Sequence, residues 1–201
     1  MKKILAVLTI ASALLLTGCS QSNEAATVGG FNISQTELQS SIDAVMAERA
    51  KVDSSQMQLE SGEELNRGQL RFKILMHTFD EIAKELKIDV TASQIGAKKA
   101  SIIQSVGGEA ELPKNLVNAA IALQDFDTYV RAIVISEQIS AALSQSGVAD
   151  EEVSAKVGEL LSAKAKSLGV TINPRYGAWD NEAGDVVAAS VTGDAVKPSA
   201  K

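Results

Sequence analysis

The sequence predicts a mainly α fold (α+β): a helical domain with a short N-terminal hairpin paired with a C-terminal strand. Three observations predict it. Apolar side chains recur at spacings of three and four through most of the chain, the mark of helices with a packed face. Aromatic residues make up only 3% of the sequence, so the core must come from Leu, Ile, Val and Ala, which suits packed helices better than a β-sandwich. Short extended segments occur near the two ends, around Gly29-Gly30 and at Val170-Thr171-Ile172.

The chain opens with Lys2 and Lys3, an apolar run from Ile4 to Leu16, and then Leu16-Thr17-Gly18-Cys19. A positive start and an apolar segment too short to span a bilayer are the pattern of an export signal. The four closing residues look like the lipobox of bacterial lipoproteins, which implies cleavage after Gly18 and a lipid on Cys19, the only cysteine. Residues 1–18 are therefore expected to be a signal peptide and residues 19–25 a lipidated tether. The expected location is extracytoplasmic, at the cell membrane, by a lipid anchor. Small polar residues from Ser20 to Ala25 suit a flexible spacer.

A domain is expected over residues 26–180. Ala26-Thr27-Val28 and Phe31-Asn32-Ile33 flank Gly29-Gly30, and glycine supplies the positive φ angles of a tight hairpin turn. Ser34 with Glu37 three residues on reads as a capping box, so a helix should start there. Its apolar face is Leu38, Ile42, Val45 and Met46, and Glu48, Arg49 and Lys51 mark its solvated end. Polar residues 52–64, with Gly62, read as a loop. The spacing then predicts a helix from Leu65 to Leu86 with the stripe Phe72, Leu75, Phe79, Ile82 and Leu86. His77 lies off that stripe and reads as a surface or half-buried histidine.

Thr91 caps a further predicted helix that presents Ile95, Ile102 and Val106 and ends at Gly107-Gly108. Pro113 suits the first position of the next, with Leu116, Val117, Ala120 and Leu123 inward and a bend at Asp125–Asp127. Phe126, Val130 and Ile133 read as inward. The run Ala132-Ile133-Val134-Ile135 is apolar on every side, which fits the centre of a bundle or a partner-binding face. After a break at Gly147–Asp150, a last helix over 151–168 shows Val153, Val157, Leu160, Leu161 and Leu168. Gly169 ends it, Val170-Thr171-Ile172 alternates as a strand, and Pro174 stops that strand from pairing further. Residues 181–201, after Trp179, lack periodicity and read as a disordered tail.

Charge and composition exclude several functions. Without Lys2 and Lys3 the mature chain holds 17 basic and 25 acidic side chains, a net charge of −8. No sizeable Lys/Arg cluster exists to neutralise phosphates, so no nucleic-acid partner is expected. With Cys19 given to lipid and His77 the only histidine, Cys/His zinc sites are excluded and no metal or cofactor is expected. No glycine-rich phosphate loop or nucleophile-elbow pattern is present. Carboxylate pairs such as Glu63-Glu64 and Glu151-Glu152 fall at helix starts, where they favour the macrodipole.

The segment Thr27-Val28-Gly29-Gly30-Phe31-Asn32-Ile33-Ser34-Gln35-Thr36-Glu37-Leu38 resembles the opening of SurA-type and PrsA-type extracytoplasmic chaperones. Val170-Thr171-Ile172-Asn173-Pro174-Arg175-Tyr176-Gly177-Ala178-Trp179 is similar to their closing strand. The resemblance implies a helical domain stapled by its own two ends, spanning about residues 26–180. Many members carry a parvulin-type prolyl isomerase domain before the last helix. Here that junction is only Gly147-Val148-Ala149-Asp150, and His77 alone stands where such sites need several histidines. No prolyl isomerase activity, and no catalytic residue, is therefore expected.

The function this implies is a membrane-anchored chaperone (holdase) that binds unfolded or nascent exported proteins. The alternative is a structural or scaffolding envelope lipoprotein. Pairing of the two ends is expected to hold the domain together, so a chain ending at Leu168 should lose cooperative unfolding while one ending at Asn181 should keep it.

Overall fold

The computed structural model describes residues 23–189, so the expected signal peptide, Cys19 and residues 190–201 lie outside the described residues. The fold is mainly α with a small antiparallel sheet. In order it comprises β1 (Glu24–Val28), β2 (Phe31–Ser34), α1 (Gln35–Arg49), α2 (Gly62–Leu86), α3 (Ala92–Ser105), α4 (Leu112–Asn118) and a 3-10 turn (Leu123–Asp125). Then follow α5 (Phe126–Gln145), α6 (Asp150–Leu168), β3 (Val170–Ile172), β4 (Ala178–Asp180) and β5 (Asp185–Val187).

β1 and β2 form the expected hairpin, with Val28 opposite Phe31. Gly29 and Gly30 both have positive φ, 57° and 85°, the geometry of a turn that matches strand twist. The strand begins earlier than the sequence implied, because Glu24 already pairs with Ser34. Ala25 is an extra residue between Glu24 and Ala26, a bulge that lets two successive alanines both reach the core. Residues 24 and 25 therefore belong to the folded domain rather than to the tether expected over residues 19–25.

The two ends do pair. β3 lies antiparallel to β1, with Ala26 opposite Ile172 and Val28 opposite Val170, giving the order β2-β1-β3. The ladder continues at both ends: the Asn173 N–H donates to the Ala25 carbonyl at 2.9 Å and the Gly29 N–H to the Leu168 carbonyl at 3.1 Å. Ala26, Val28, Ile33 and Ile172 are buried and join Leu38, Ile42, Val45, Leu65, Leu70 and Ile74 in one core cluster.

Ser34 caps α1 by accepting from the Glu37 N–H at 3.0 Å. The reciprocal half of the expected box is absent, since the Glu37 carboxylate pairs with Lys73 at 3.4 Å. Replacing Ser34 with alanine is expected to cost about 1 kcal/mol of stability. Unchanged urea midpoints would show that the strand, rather than the cap, fixes this helix start. Leu38, Ile42 and Val45 are buried as expected, but Met46 is exposed.

α2 begins at Gly62 rather than at Leu65, so the loop is shorter than expected, and Arg49 closes it by donating to the Glu60 carbonyl at 2.6 Å. Its fully buried residues are Leu65, Gln69, Leu70, Ile74, Thr78, Ile82 and Ala83. Of the expected stripe only Ile82 is among them. Phe72 and Phe79 are half-buried on two different neighbours, the α3–α4 cluster and the α5–α6 cluster, and Leu86 is exposed.

α3 has the full capping box, Thr91 with Gln94. α4 stops at Asn118, before the expected bend, because the chain turns at Ala120, whose φ is +52°. Leu116 and Val117 are buried, Ala120 is half-buried, and Leu123 faces solvent. α5 touches α2, α3 and α6. Ala132, Val134 and Ile135 are buried and Ile133 half-buried, so the all-round apolar run lies at the centre of the bundle. In α6, Val153 and Val157 are buried and Leu160, Leu161 and Leu168 half-buried.

The tail expected from Asn181 onward is ordered at its start. β5 pairs with β4, with Trp179 opposite Val186, and Val186 is buried in the core cluster that holds the sheet. Asp180 closes the hairpin by accepting from the Glu182 and Ala183 N–H groups. The folded unit thus runs to residue 187, and only 190–201 of the expected tail lies outside the described residues.

Candidate functional site

An open recess with small apolar side chains on its floor lies between α3 and α5. α3 is the loosest of the long helices: none of its residues is fully buried. Ile95, Ile102, Ile103 and Val106 are half-buried against the cluster of Leu112, Leu116, Ile121, Phe126 and Val130. Its other side leaves a groove of about 430 Å³ against α5, floored by Ala97, Ser101, Val134 and Ala141. These side chains are too small to fill the space between two helix axes, so it stays open.

Polar groups border this floor. Lys98 donates to Glu137 at 2.5 Å across the groove and ties the two helices together. Lys99 pairs with Asp127 further along the same helices. Gln94 and Gln138 also line the groove, and Gln138 Nε2 is buried without a hydrogen-bond partner among the described residues. The groove therefore has a small apolar floor of Ala97, Val134 and Ala141 inside a polar border.

The other exposed apolar side chains are dispersed. Phe31, Met46, Leu86, Leu123 and Val187 are 43%, 51%, 51%, 51% and 39% exposed, and each belongs to a different element.

His77, the one histidine, is half-buried on α2 and stacks on Phe31 of β2, with ring centroids 4.2 Å apart and planes 15° apart. The stack fastens the hairpin to the helix beneath it. Among the described residues no serine or carboxylate hydrogen-bonds to this ring, and no group of three His, Cys, Asp or Glu side chains is arranged to hold a metal ion.

Burial pushes the imidazole below its ordinary value of 6.5; Glu81 opposes this, Lys84 adds to it, and Asp80 opposes it. A lowered histidine favours the neutral ring in the folded state. Its contribution to stability is present above about pH 6.5 and is lost as pH falls through the folded value. A His77→Phe variant should keep the stack and lose this dependence. Between about pH 7 and pH 5 the native chain's urea midpoint should fall relative to that of the variant; parallel profiles would contradict it.

Cys19, the one site residue named from sequence, lies outside the described residues. Among the described residues no helix is long and apolar enough to cross a membrane. The groove was not legible in the sequence, since Ala97, Ser101 and Ala141 carry no signal except their smallness. No protein-family model matches this sequence, and comparison with curated proteins and with solved structures finds no similar one.

Proposed function

We propose that this chain is a membrane-anchored extracytoplasmic chaperone of the holdase type, without prolyl isomerase activity, and that it belongs with the SurA- and PrsA-type proteins its two ends resemble. The observation that carries the reading is the α3–α5 groove: an open recess with a small apolar floor, flanked by a helix with no fully buried side chain. Such a recess covers a short apolar stretch of an unfolded chain and lowers its tendency to aggregate. An acidic surface favours basic or neutral clients. No catalytic residue is required.

Light scattering from an aggregating client, with and without the domain, tests this. The domain should suppress scattering, and Ala97→Trp, at an exposed position on the floor, should weaken suppression without changing the melting temperature. Equal suppression by both proteins would place the binding elsewhere. No suppression by either would refute the holdase.

One observation favours a second reading, a scaffolding envelope lipoprotein. The exposed apolar side chains are spread over five elements instead of forming one broad client surface. A scaffold should retain one stoichiometric partner on affinity purification, where a holdase retains many at low occupancy.

A further inference from the structure

The position of β1 fixes how close one end of the domain must stay to a lipid on Cys19. β1 starts at Glu24, so at about 3.6 Å per residue the chain between Cys19 and Glu24 reaches at most about 18 Å however it runs. The segment after β3 is pinned to the same place. The Asn173 side chain donates to the Glu24 carbonyl at 3.1 Å, and the Tyr176 hydroxyl donates to Gln35 Oε1 at 3.4 Å. An opening of about 550 Å³ at Asn23 is bordered by Gln39, Asp43, Arg175 and Tyr176. On its other side Arg175 borders the first turns of α2, at Glu63 and Arg67.

The opposite end of the molecule follows from α2. Its 25 residues extend about 37 Å. Ile82 and Ala83 near its C-terminus pack on Val153 and Val157, close to the start of α6. The α5–α6 turn at Ser146–Ala149 is therefore a helix length away from the tether root.

Chemistry at the root suits a headgroup layer. The mature chain carries −8, yet the two openings at the root hold two arginines, Arg67 and Arg175, against two acids, Asp43 and Glu63, with Glu24 beside them as a third acid. This face is less repelled by anionic lipid than the chain as a whole. Arg175 is exposed and lies over the Tyr176 ring at 5.9 Å. Guanidinium pairs with lipid phosphate, and tyrosine favours the boundary between water and hydrocarbon.

We infer that the face around Asn23, Gln39, Arg175 and Tyr176 rests on the headgroups of the bilayer, and that the α5–α6 turn points away from it. This rests on the anchoring part of the proposed function and adds an orientation that anchoring alone does not impose.

The full lipidated chain in vesicles of phosphatidylethanolamine and phosphatidylglycerol tests it. A fluorophore is placed on Gln39→Cys or on Gln145→Cys, both exposed positions, and quenched by lipid spin-labelled at its headgroup. Quenching should be several-fold stronger at position 39, and Arg175→Glu should reduce it there. Equal quenching at both positions in a chain that floats with the vesicles would overturn the orientation and leave the anchor standing. A chain that does not float would overturn both.

Discussion

A chain ending at Leu168 is expected to lose its cooperative unfolding transition. It lacks β3, β4 and β5, and so loses Ile172 and Val186 from the core that holds the sheet, with Val170, Tyr176 and Trp179 packed against it. At about 1.5–3 kcal/mol for each large apolar side chain fully buried, Ile172 and Val186 alone represent about 3–6 kcal/mol. A whole domain is stable by only about 5–15 kcal/mol. The ladder from Ala26–Ile172 to Val28–Val170 is lost as well, leaving β1 with unpaired backbone groups along one edge. Joining ends this distant costs about 4 kcal/mol of loop-closure entropy, a cost that grows only with the logarithm of loop length.

The structure also moves the other arm of that experiment. A chain ending at Asn181 is expected from sequence to keep cooperative unfolding, but it lacks β5. Without Val186 and the Arg71–Asp185 ion pair, it should lose about 1.5–2 kcal/mol, the worth of one buried valine. A chain ending at Ala189 should match full length. Thermal unfolding followed by circular dichroism orders the three. If the chain ending at Leu168 melts as sharply and as high as that ending at Ala189, the ends do not hold the domain.

The features read well from sequence are those that local chemistry dictates. Two glycines make the hairpin turn, Ser34 and Thr91 cap helices, and Val170-Thr171-Ile172 alternates. The failures come where tertiary contacts decide. A single stripe cannot describe α2, because it packs on the sheet and α1, on α5 and on α6. Its buried face includes two polar residues that hydrophobic spacing passes over. Gln69 donates to the Ala120 carbonyl at 2.6 Å, and Thr78 satisfies itself on the Ile74 carbonyl at 2.8 Å. The first of these contacts also hides the break after α4. Alanine is the best helix former, so a left-handed Ala120 is invisible until its tertiary partner is known. β5 was missed because Asp185-Val186-Val187 is too short to show a period, although Asp180-Asn181 and Gly184 supply turn residues just before it. The groove was missed because it consists of space left by small side chains.

Gly177→Ala should be among the most damaging of single-methyl additions. Gly177 is buried, its φ is +129°, and a Cβ built there would lie 2.2 Å from the Val187 carbonyl oxygen and 3.3 Å from its carbon. Both atoms are backbone, so no rotamer change relieves the clash. Ala178 is paired with Val187; the two strands must therefore separate, and Val186 is levered from the core as they do. Backbone strain of about 1–3 kcal/mol adds to the lost burial of a valine, about 1.5–2 kcal/mol. The control is Gly184→Ala, at φ +62° with nothing within 4 Å of the added methyl, where only the left-handed conformation is penalised, by about 1–2 kcal/mol. Trp179, the only tryptophan, sits on β4 opposite Val186, so its fluorescence reports the hairpin directly. Urea titrations should show Gly177→Ala displacing the midpoint well beyond Gly184→Ala, with a change in Trp179 emission already in the native baseline. Equal displacement would mean that β5 yields without cost. The hairpin would then not brace the Arg175–Tyr176 segment, where Gly177 and Ala188 border one opening, and the tether root would lose the support that keeps its face in shape.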